Sequence, residues 1–287
     1  MRLHIEHLTT YRYRCPVAFQ RHRLVIRPRE GHDVRIERLT LRMQPQHRLE
    51  WVRDVYGNSI ALVDWLEPSD TLEIASDVLV EKVAPFPGRA LHEPWYVPYP
   101  PTYEPLETAV ASAYLVPSYL EDASVLRSWL TSSLTTEPGD AEGTMLALSR
   151  LVFATVRYQR RPEKGVQTPA ATIECGTGSC RDMAALMMDS ARVLGVAARF
   201  ASGYLHGTAS MAGRASTHAW TEVYLPTLGW RGFDPTLGEV TAGSHIVTGV
   251  SGHPRGVMPV TGSFTGTASD LVSLDVQVRT TVLPAST

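Results

Sequence analysis

Residues 175–188 read Cys175-Gly176-Thr177-Gly178-Ser179-Cys180-Arg181-Asp182-Met183-Ala184-Ala185-Leu186-Met187-Met188. Apolar residues at 184, 187, 188 and 191 fall on one helical stripe, and Gly195 stands where such a helix would stop. Ser179 followed three positions later by Asp182 is a capping-box pattern, so the spacing predicts a helix that starts at Cys180. A helix amino terminus carries unpaired N–H groups and the positive end of the helix dipole, both of which stabilise a thiolate. Cys180 therefore has the position of a nucleophile, with its own N–H aimed at a developing oxyanion. Gly176, Gly178 and Ser179 leave room for a substrate backbone to approach. Cys175 lies in the preceding loop and lacks this helix-start position. A single cysteine is more often a buried structural thiol, and a base within reach is what changes that reading.

Downstream, Ser216-Thr217-His218-Ala219-Trp220-Thr221-Glu222-Val223-Tyr224 alternates, which places His218, Trp220, Glu222 and Tyr224 on one face of a strand. His218 is the candidate base. A second strand, Gly229-Trp230-Arg231-Gly232-Phe233-Asp234-Pro235, ends in Asp234, which can orient the imidazole and stabilise its cationic form. Taken singly, His218 reads as a satisfied sheet histidine and Asp234 as a turn residue before proline. Pro226-Thr227-Leu228-Gly229 is the turn between the two strands. A tight hairpin closing Leu225 on Trp230 would set Asp234 opposite Thr221, so the expected geometry needs a bulge or a different loop to bring Asp234 to His218.

Upstream, from Leu3 to about Val83, short alternating runs such as Leu3-His4-Ile5-Glu6 and Val34-Arg35-Ile36-Glu37-Arg38-Leu39 surround a Tyr56-Gly57-Asn58-Ser59 hairpin signal. They predict an amino-terminal β-sandwich or small barrel over residues 1–84. Seven prolines between Pro85 and Pro105 mark a linker over 85–105. Residues 106–287 then form the α+β core with a β-rich tail. Within it, Val125, Trp129 and Leu130 share one helical face, and Met145, Leu148, Leu151, Val152 and Val156 share another, so two helices are expected before about Tyr158.

Composition narrows the function. The 287 residues carry 27 basic and 29 acidic side chains, a net charge of -2, without the basic stripe that a nucleic-acid partner would require. No apolar run approaches the roughly 18–20 residues of a membrane helix, and the amino terminus lacks a secretory core. Three cysteines, Cys15, Cys175 and Cys180, are too few and odd in number for a disulfide framework. A cytoplasmic protein with neither nucleic-acid nor membrane partner is expected.

Together the segments resemble the bacterial transglutaminase-like superfamily. The matching pieces are Gly165-Val166-Gln167-Thr168-Pro169 leading into Gly178-Ser179-Cys180-Arg181-Asp182, then Arg199-Phe200, Ser202-Gly203-Tyr204-Leu205, Thr217-His218-Ala219-Trp220, and Gly232-Phe233-Asp234-Pro235-Thr236. Tyr11-Arg12-Tyr13, Pro16-Val17 and Asp54-Val55-Tyr56-Gly57-Asn58 resemble the β domain that precedes the core in this group. Gly249 to Gly256 departs from the family's tail. The resemblance implies a papain-like α+β core carrying Cys180, His218 and Asp234 as a triad. No cofactor is expected, and no acidic loop has the spacing of a calcium site.

The chemistry implied is acyl transfer at a peptide or protein amide. His218 takes the Cys180 proton, the thiolate attacks the carbonyl, the amine leaves and a thioester remains. Water then gives protease or amidase chemistry, the preferred reading, whereas an amine gives transamidation. Arylamine N-acetyltransferase-like transfer and a non-catalytic binding scaffold are the further alternatives. Trp220 and Tyr204 are candidates for the acyl site against the simpler reading as core aromatics, and Tyr158 is a candidate second oxyanion donor. Asp182 reads first as a helix cap and Arg181 as a solvated or salt-bridged residue. Redox pairing of Cys175 with Cys180 across the turn of their Cys-x4-Cys spacing is a lesser alternative, and zinc held by Cys175, Cys180, His206 and His218 has no CxxC or HxxxH pair to support it.

Overall fold

The computed structural model describes residues 1–83, 96–134, 140–161, 165–206 and 217–284. Alternation at the amino terminus produces six strands: β1 (Arg2–Val17), β2 (His22–Leu24), β3 (Val34–Gln44), β4 (His47–Arg53), β5 (Ser59–Trp65) and β6 (Ser69–Lys82). The middle of the chain holds α1 (Pro105–Ala111), α2 (Ala123–Ser133), α3 (Ala141–Thr155), β7 (Arg157–Tyr158), α4 (Pro169–Cys175), β8 (Thr177–Gly178) and α5 (Cys180–Val193). Strands β9 (Ala198–Leu205), β10 (Thr217–Leu225), β11 (Gly229–Asp234), β12 (Glu239–Val240), β13 (His245–Ser251), β14 (Val260–Thr261) and β15 (Leu271–Leu283) follow.

The amino-terminal unit is a β-sandwich, but one completed by the far end of the chain. One antiparallel sheet has the order β15-β1-β6-β3 and the other β14-β2-β5-β4. Leu24, Ala61 and Val63 of the second sheet, with Ile26 just after β2, bury themselves against Ile74 of the first, with Leu41 and Met43 at the margin. Strand β15 runs along β1 from Arg2 opposite Leu283 to Tyr13 opposite Leu271. The expected partition, which assigned all of 106–287 to the core, is corrected here: the last two strands belong to the sandwich. Alternation in the sequence identifies a strand; its pairing partner, some 270 residues away, leaves no local trace. Of the proline-rich 85–105, residues 85–95 fall outside the described part. The remainder lies on the core, where the buried Val97 accepts the Ala141 N–H and Tyr103 Oη accepts the Ala197 N–H at 2.7 Å. Helix α1 begins in this stretch, with Pro105 at its first turn, where a missing N–H costs nothing.

The core places α5 on a five-stranded antiparallel sheet of order β12-β11-β10-β9-β13. Every residue from Asp182 to Arg192 is buried, because β10 covers one side of the helix while α2, α3 and α4 cover the others. Met145, Leu148, Val152 and Val156 of the second expected helix are in this core, with Leu151 at its edge. In α2 the buried face is Leu126 and Leu130, one step from the expected one, and Val125 is 44% exposed. Among the described residues no helix is long and apolar enough to cross a membrane.

Candidate active site

Cys180 is the first residue of α5 and is 9% exposed. Ser179 and Asp182 close the expected capping box, with Asp182 Oδ2 accepting the Ser179 N–H at 2.8 Å and its hydroxyl at 2.7 Å. The same carboxylate accepts from the Gln167 N–H at 2.7 Å and pairs with Arg161 at 2.9 Å. Burial opposes its ionisation, but the Arg161 hydrogen bond and the backbone N–H groups outweigh burial and lower its pKa. Asp182 thus fixes the helix start and ties the 165–167 loop to it, a structural role as the sequence indicates. Gly178 is required by close approach, since a Cβ there would stand 3.0 Å from Asp182 Cβ.

His218 enters from β10, and its Nε2 lies 2.7 Å from Asp234 Oδ2 at the end of β11. No bulge is needed. The hairpin closes Leu225 on Gly229 rather than on Trp230, so Phe233 stands opposite Thr221. Asp234 then falls alongside Trp220, the diagonal neighbour of His218 on one sheet face. Thr227, at φ 66°, and Gly229, at φ 71°, make this tighter turn. With Nε2 engaged, Nδ1 is the ring nitrogen that serves the Cys180 sulfur. Burial would lower the His218 pKa; the hydrogen bond and charge of Asp234, and then contact with Cys180, overcome that and raise it to about 10. Burial likewise opposes ionisation of Asp234, yet His218 and a second histidine depress its pKa strongly.

That second histidine, His245, is absent from the sequence reading. Its Nε2 lies 3.0 Å from the same Asp234 Oδ2, and the residue is 5% exposed at the start of β13. Its signal was faint: one histidine opening an alternating run in a tail rich in Gly, Ser, Thr and Val. One ring nitrogen of each histidine and an Asp234 carboxylate oxygen lie within 4.8 Å of one another, as metal ligands could. The Ala242 N–H, however, points at His245 Nδ1 at 3.3 Å, which assigns the ring hydrogen to Nε2 and makes that atom a donor rather than a ligand. The zinc alternative does not assemble. Cys175 is exposed at the end of α4, His206 bonds Thr280, and neither belongs to this cluster.

The other candidates separate into two groups. Tyr204 is 1% exposed, with its hydroxyl bonded to His7 at 3.0 Å and to the Ile26 carbonyl at 3.3 Å. Trp220 is 1% exposed, packed with Ala201 and Val250 and lying edge-on to His245. Neither lines the cleft, so both are corrected from acyl-site candidates to core aromatics. Tyr158 does line it, on β7 beside β8, and its pKa is raised by burial and by the neighbouring Cys180. The cleft has a volume of about 1720 Å³. Cys180, His218, Ser179 and Tyr158 form one wall; Arg42, Glu73 and Asp77 of the sandwich and Gln277 of β15 form another.

A cysteine at a helix start, facing a histidine and aspartate carried on an antiparallel sheet, defines a papain-like α+β thiol site. Residues 129–235 match the transglutaminase-like superfamily, and residues 3–81 match the bacterial transglutaminase-like N-terminal region. The chain thus carries a bacterial transglutaminase-like N-terminal region followed by a transglutaminase-like core. An uncharacterized protein of Mycobacterium tuberculosis is 28% identical over 301 residues, covering 96% of this chain and 92% of its own length. Another from Mycobacterium leprae is 25% identical over 305 residues, covering 98% and 99%. The crystal structure of a candidate cysteine protease from Cytophaga hutchinsonii superposes with a TM-score of 0.74 at 17% identity, covering 100% of this chain and 92% of that one. At that identity it speaks for the fold.

Proposed function

We propose that the protein hydrolyses amide bonds in polypeptides through a thioester on Cys180. The observation that carries this reading is the placement of His218 between Cys180 and Asp234, with its pKa raised to about 10. An imidazolium held in this way remains protonated at neutral pH and can deliver its proton to a departing amine.

In this mechanism the Cys180 sulfur attacks the carbonyl carbon. The Cys180 N–H and the Tyr158 hydroxyl stabilise the oxyanion, Ser179 borders the approach while Gly178 is buried beneath it, and His218 protonates the amine as the C–N bond breaks. Water, deprotonated by His218, then attacks the thioester and releases the acid, returning the proton to the Cys180–His218 pair. Asp234 holds the ring throughout. The cleft volume favours a polymeric substrate, since small-molecule sites span about 300–1,000 Å³ and this one is about 1720 Å³. The same feature counts against arylamine acetyl transfer. Transamidation shares every step up to the thioester and differs only in the attacking amine. Three free cysteines fit a reducing compartment, in keeping with a cytoplasmic enzyme.

Incubation with a proteome-derived peptide library, analysed for new termini and for incorporation of an added primary amine, tests the reading. New termini that disappear in Cys180→Ala are expected. Amine incorporation without cleavage identifies a transamidase. A wild-type protein that does neither, and whose Cys180 alkylates no faster than a free thiol, overturns the proposal in favour of a scaffold.

A further inference from the structure

We infer that His245 is a positioning residue for the thiol mechanism proposed above, and its role rests on that mechanism. By donating a second hydrogen bond to Asp234 Oδ2, it fixes the carboxylate and limits how tightly Asp234 holds the His218 proton.

The arrangement around Asp234 is complete. Oδ2 accepts from His218 at 2.7 Å and from His245 at 3.0 Å, while Oδ1 accepts the Thr236 N–H at 2.9 Å. The carboxylate has no exposed surface. Strands β11 and β13, which carry Asp234 and His245, are separated in the sheet by β10 and β9, so the contact spans the sheet face. Gly203 on β9 makes the crossing possible: a Cβ there would stand 2.0 Å from the Ile246 carbonyl oxygen and 2.8 Å from the Trp220 ring. The His245 ring lies edge-on to Trp220, with centroids 5.1 Å apart at 77°. The sandwich grips the same residue, since Lys82 Nζ donates to the His245 carbonyl at 2.9 Å.

His245 donates from Nε2 without needing a positive charge, because Nδ1 faces the Ala242 N–H at 3.3 Å and the Ser244 hydroxyl at 3.3 Å. The titratable and charged groups around it are Asp234, His218, Lys82 and, through His218, Cys180; Asp33 and Glu222 act on Lys82. A carboxylate oxygen shared between two donors pulls less strongly on each than one serving a single donor. His218 must stabilise the Cys180 thiolate and still surrender its proton to the leaving amine. Without His245, Oδ2 serves His218 alone, and the carboxylate loses one of its three restraints.

The test is the pH dependence of Cys180 alkylation by iodoacetate in the full chain. This anionic reagent is favoured by the imidazolium, so its rate falls as His218 loses its proton, near pH 10 in the wild type. In His245→Phe the fall should move upward by about one pH unit, and in His245→Gln, which keeps an N–H donor, it should return toward the wild-type position. A folded His245→Phe whose profile superimposes on the wild type overturns the inference. If that variant does not fold, ¹⁵N spectra of the wild-type imidazoles decide: a hydrogen on His245 Nε2 supports the inference, and one on Nδ1 overturns it. A wild-type profile unchanged in His218→Ala would instead sink the mechanism on which this inference rests.

Discussion

In the sandwich, Arg21 and Asp64 meet at 2.6 Å with 56% and 44% of their side chains exposed. In the core, the side chains of Asp182, Asp189 and Asp234 have no exposed surface at all. Both regions are antiparallel sheets with apolar interiors, yet they place charge in opposite environments. Exposed pairs gain little, because water already solvates both partners and salt screens them. A buried carboxylate survives only when each oxygen is occupied, and Asp182 and Asp234 are each held by several donors. Burial therefore converts these acids into fixed points: Asp182 for the start of the nucleophile helix, Asp189 with Arg192 for the packing of α5 against the 116–119 segment, and Asp234 for the imidazole.

If this contrast is right, the largest effects lie at the core's cleft face. Cys180→Ala should reduce peptide cleavage by roughly 10³-fold or more, since no other residue can form the thioester. Its urea midpoint should stay near the wild-type value, which separates lost chemistry from lost fold. Asp182→Ala comes next. It removes the acceptor of the Ser179, Gln167 and Arg161 hydrogen bonds and opens the helix cap, and about 3–5 kcal/mol of stability should be lost. Urea denaturation measures this, and a loss below about 1 kcal/mol would place Asp182 with the exposed pairs of the sandwich.

Titration provides an intermediate test. His218 is raised in the folded chain to about 10, against about 6.5 in an unfolded one. Between those values the folded state binds the extra proton. The stabilising contribution is thus full below about pH 6.5, declines above it and is lost as pH rises through about 10. Asp182 and Asp234 act at the other end, because their lowered pKa values contribute stability above the unfolded value of about 3.9 that is lost as pH falls through the folded one. Thermal melts of wild type and His218→Ala from pH 6 to 10 check the first limb, which should flatten in the variant.

The same contrast explains what the sequence revealed. The helix start at Cys180 and its Asp182 cap were legible because each is written as a short-range pattern, and alternation and a strand end marked His218 and Asp234 as candidates, whereas their pairing came from the family resemblance. The register of Asp234 was legible to within one residue, and a turn with positive φ at Thr227 made up the difference. What escaped is long-range. Strand β15 pairs with β1 across the whole chain, and His245 reaches Asp234 across two intervening strands. Tyr204 and Trp220 escaped for another reason: an alternating strand shows which residues share a face, but not whether that face meets a cleft or a second layer.

Tyr204→Phe examines that last distinction. Removing the hydroxyl leaves buried His7 without its partner at 3.0 Å and frees the Ile26 carbonyl, a loss of about 1–2 kcal/mol. Because the residue is buried and does not line the cleft, the rate of Cys180 alkylation should not change; a slower rate with unaltered stability would restore Tyr204 to the acyl site.

The smallest effect belongs to the sandwich surface. Arg21→Ala deletes a bidentate pair with Asp64, at 2.8 and 2.6 Å, that looks as well made as any in the core. Geometry alone would rank it beside Arg161 and Asp182. Solvent reverses the ranking, because in Arg21→Ala water replaces the guanidinium at an Asp64 side chain that is already 44% exposed, whereas the Asp182 side chain has no exposed surface. The melting temperature of Arg21→Ala should match the wild type at both low and high salt. A clear drop confined to low salt would show that the sandwich surface acts as a coupled charge network, and the contrast between the two regions would then be one of degree.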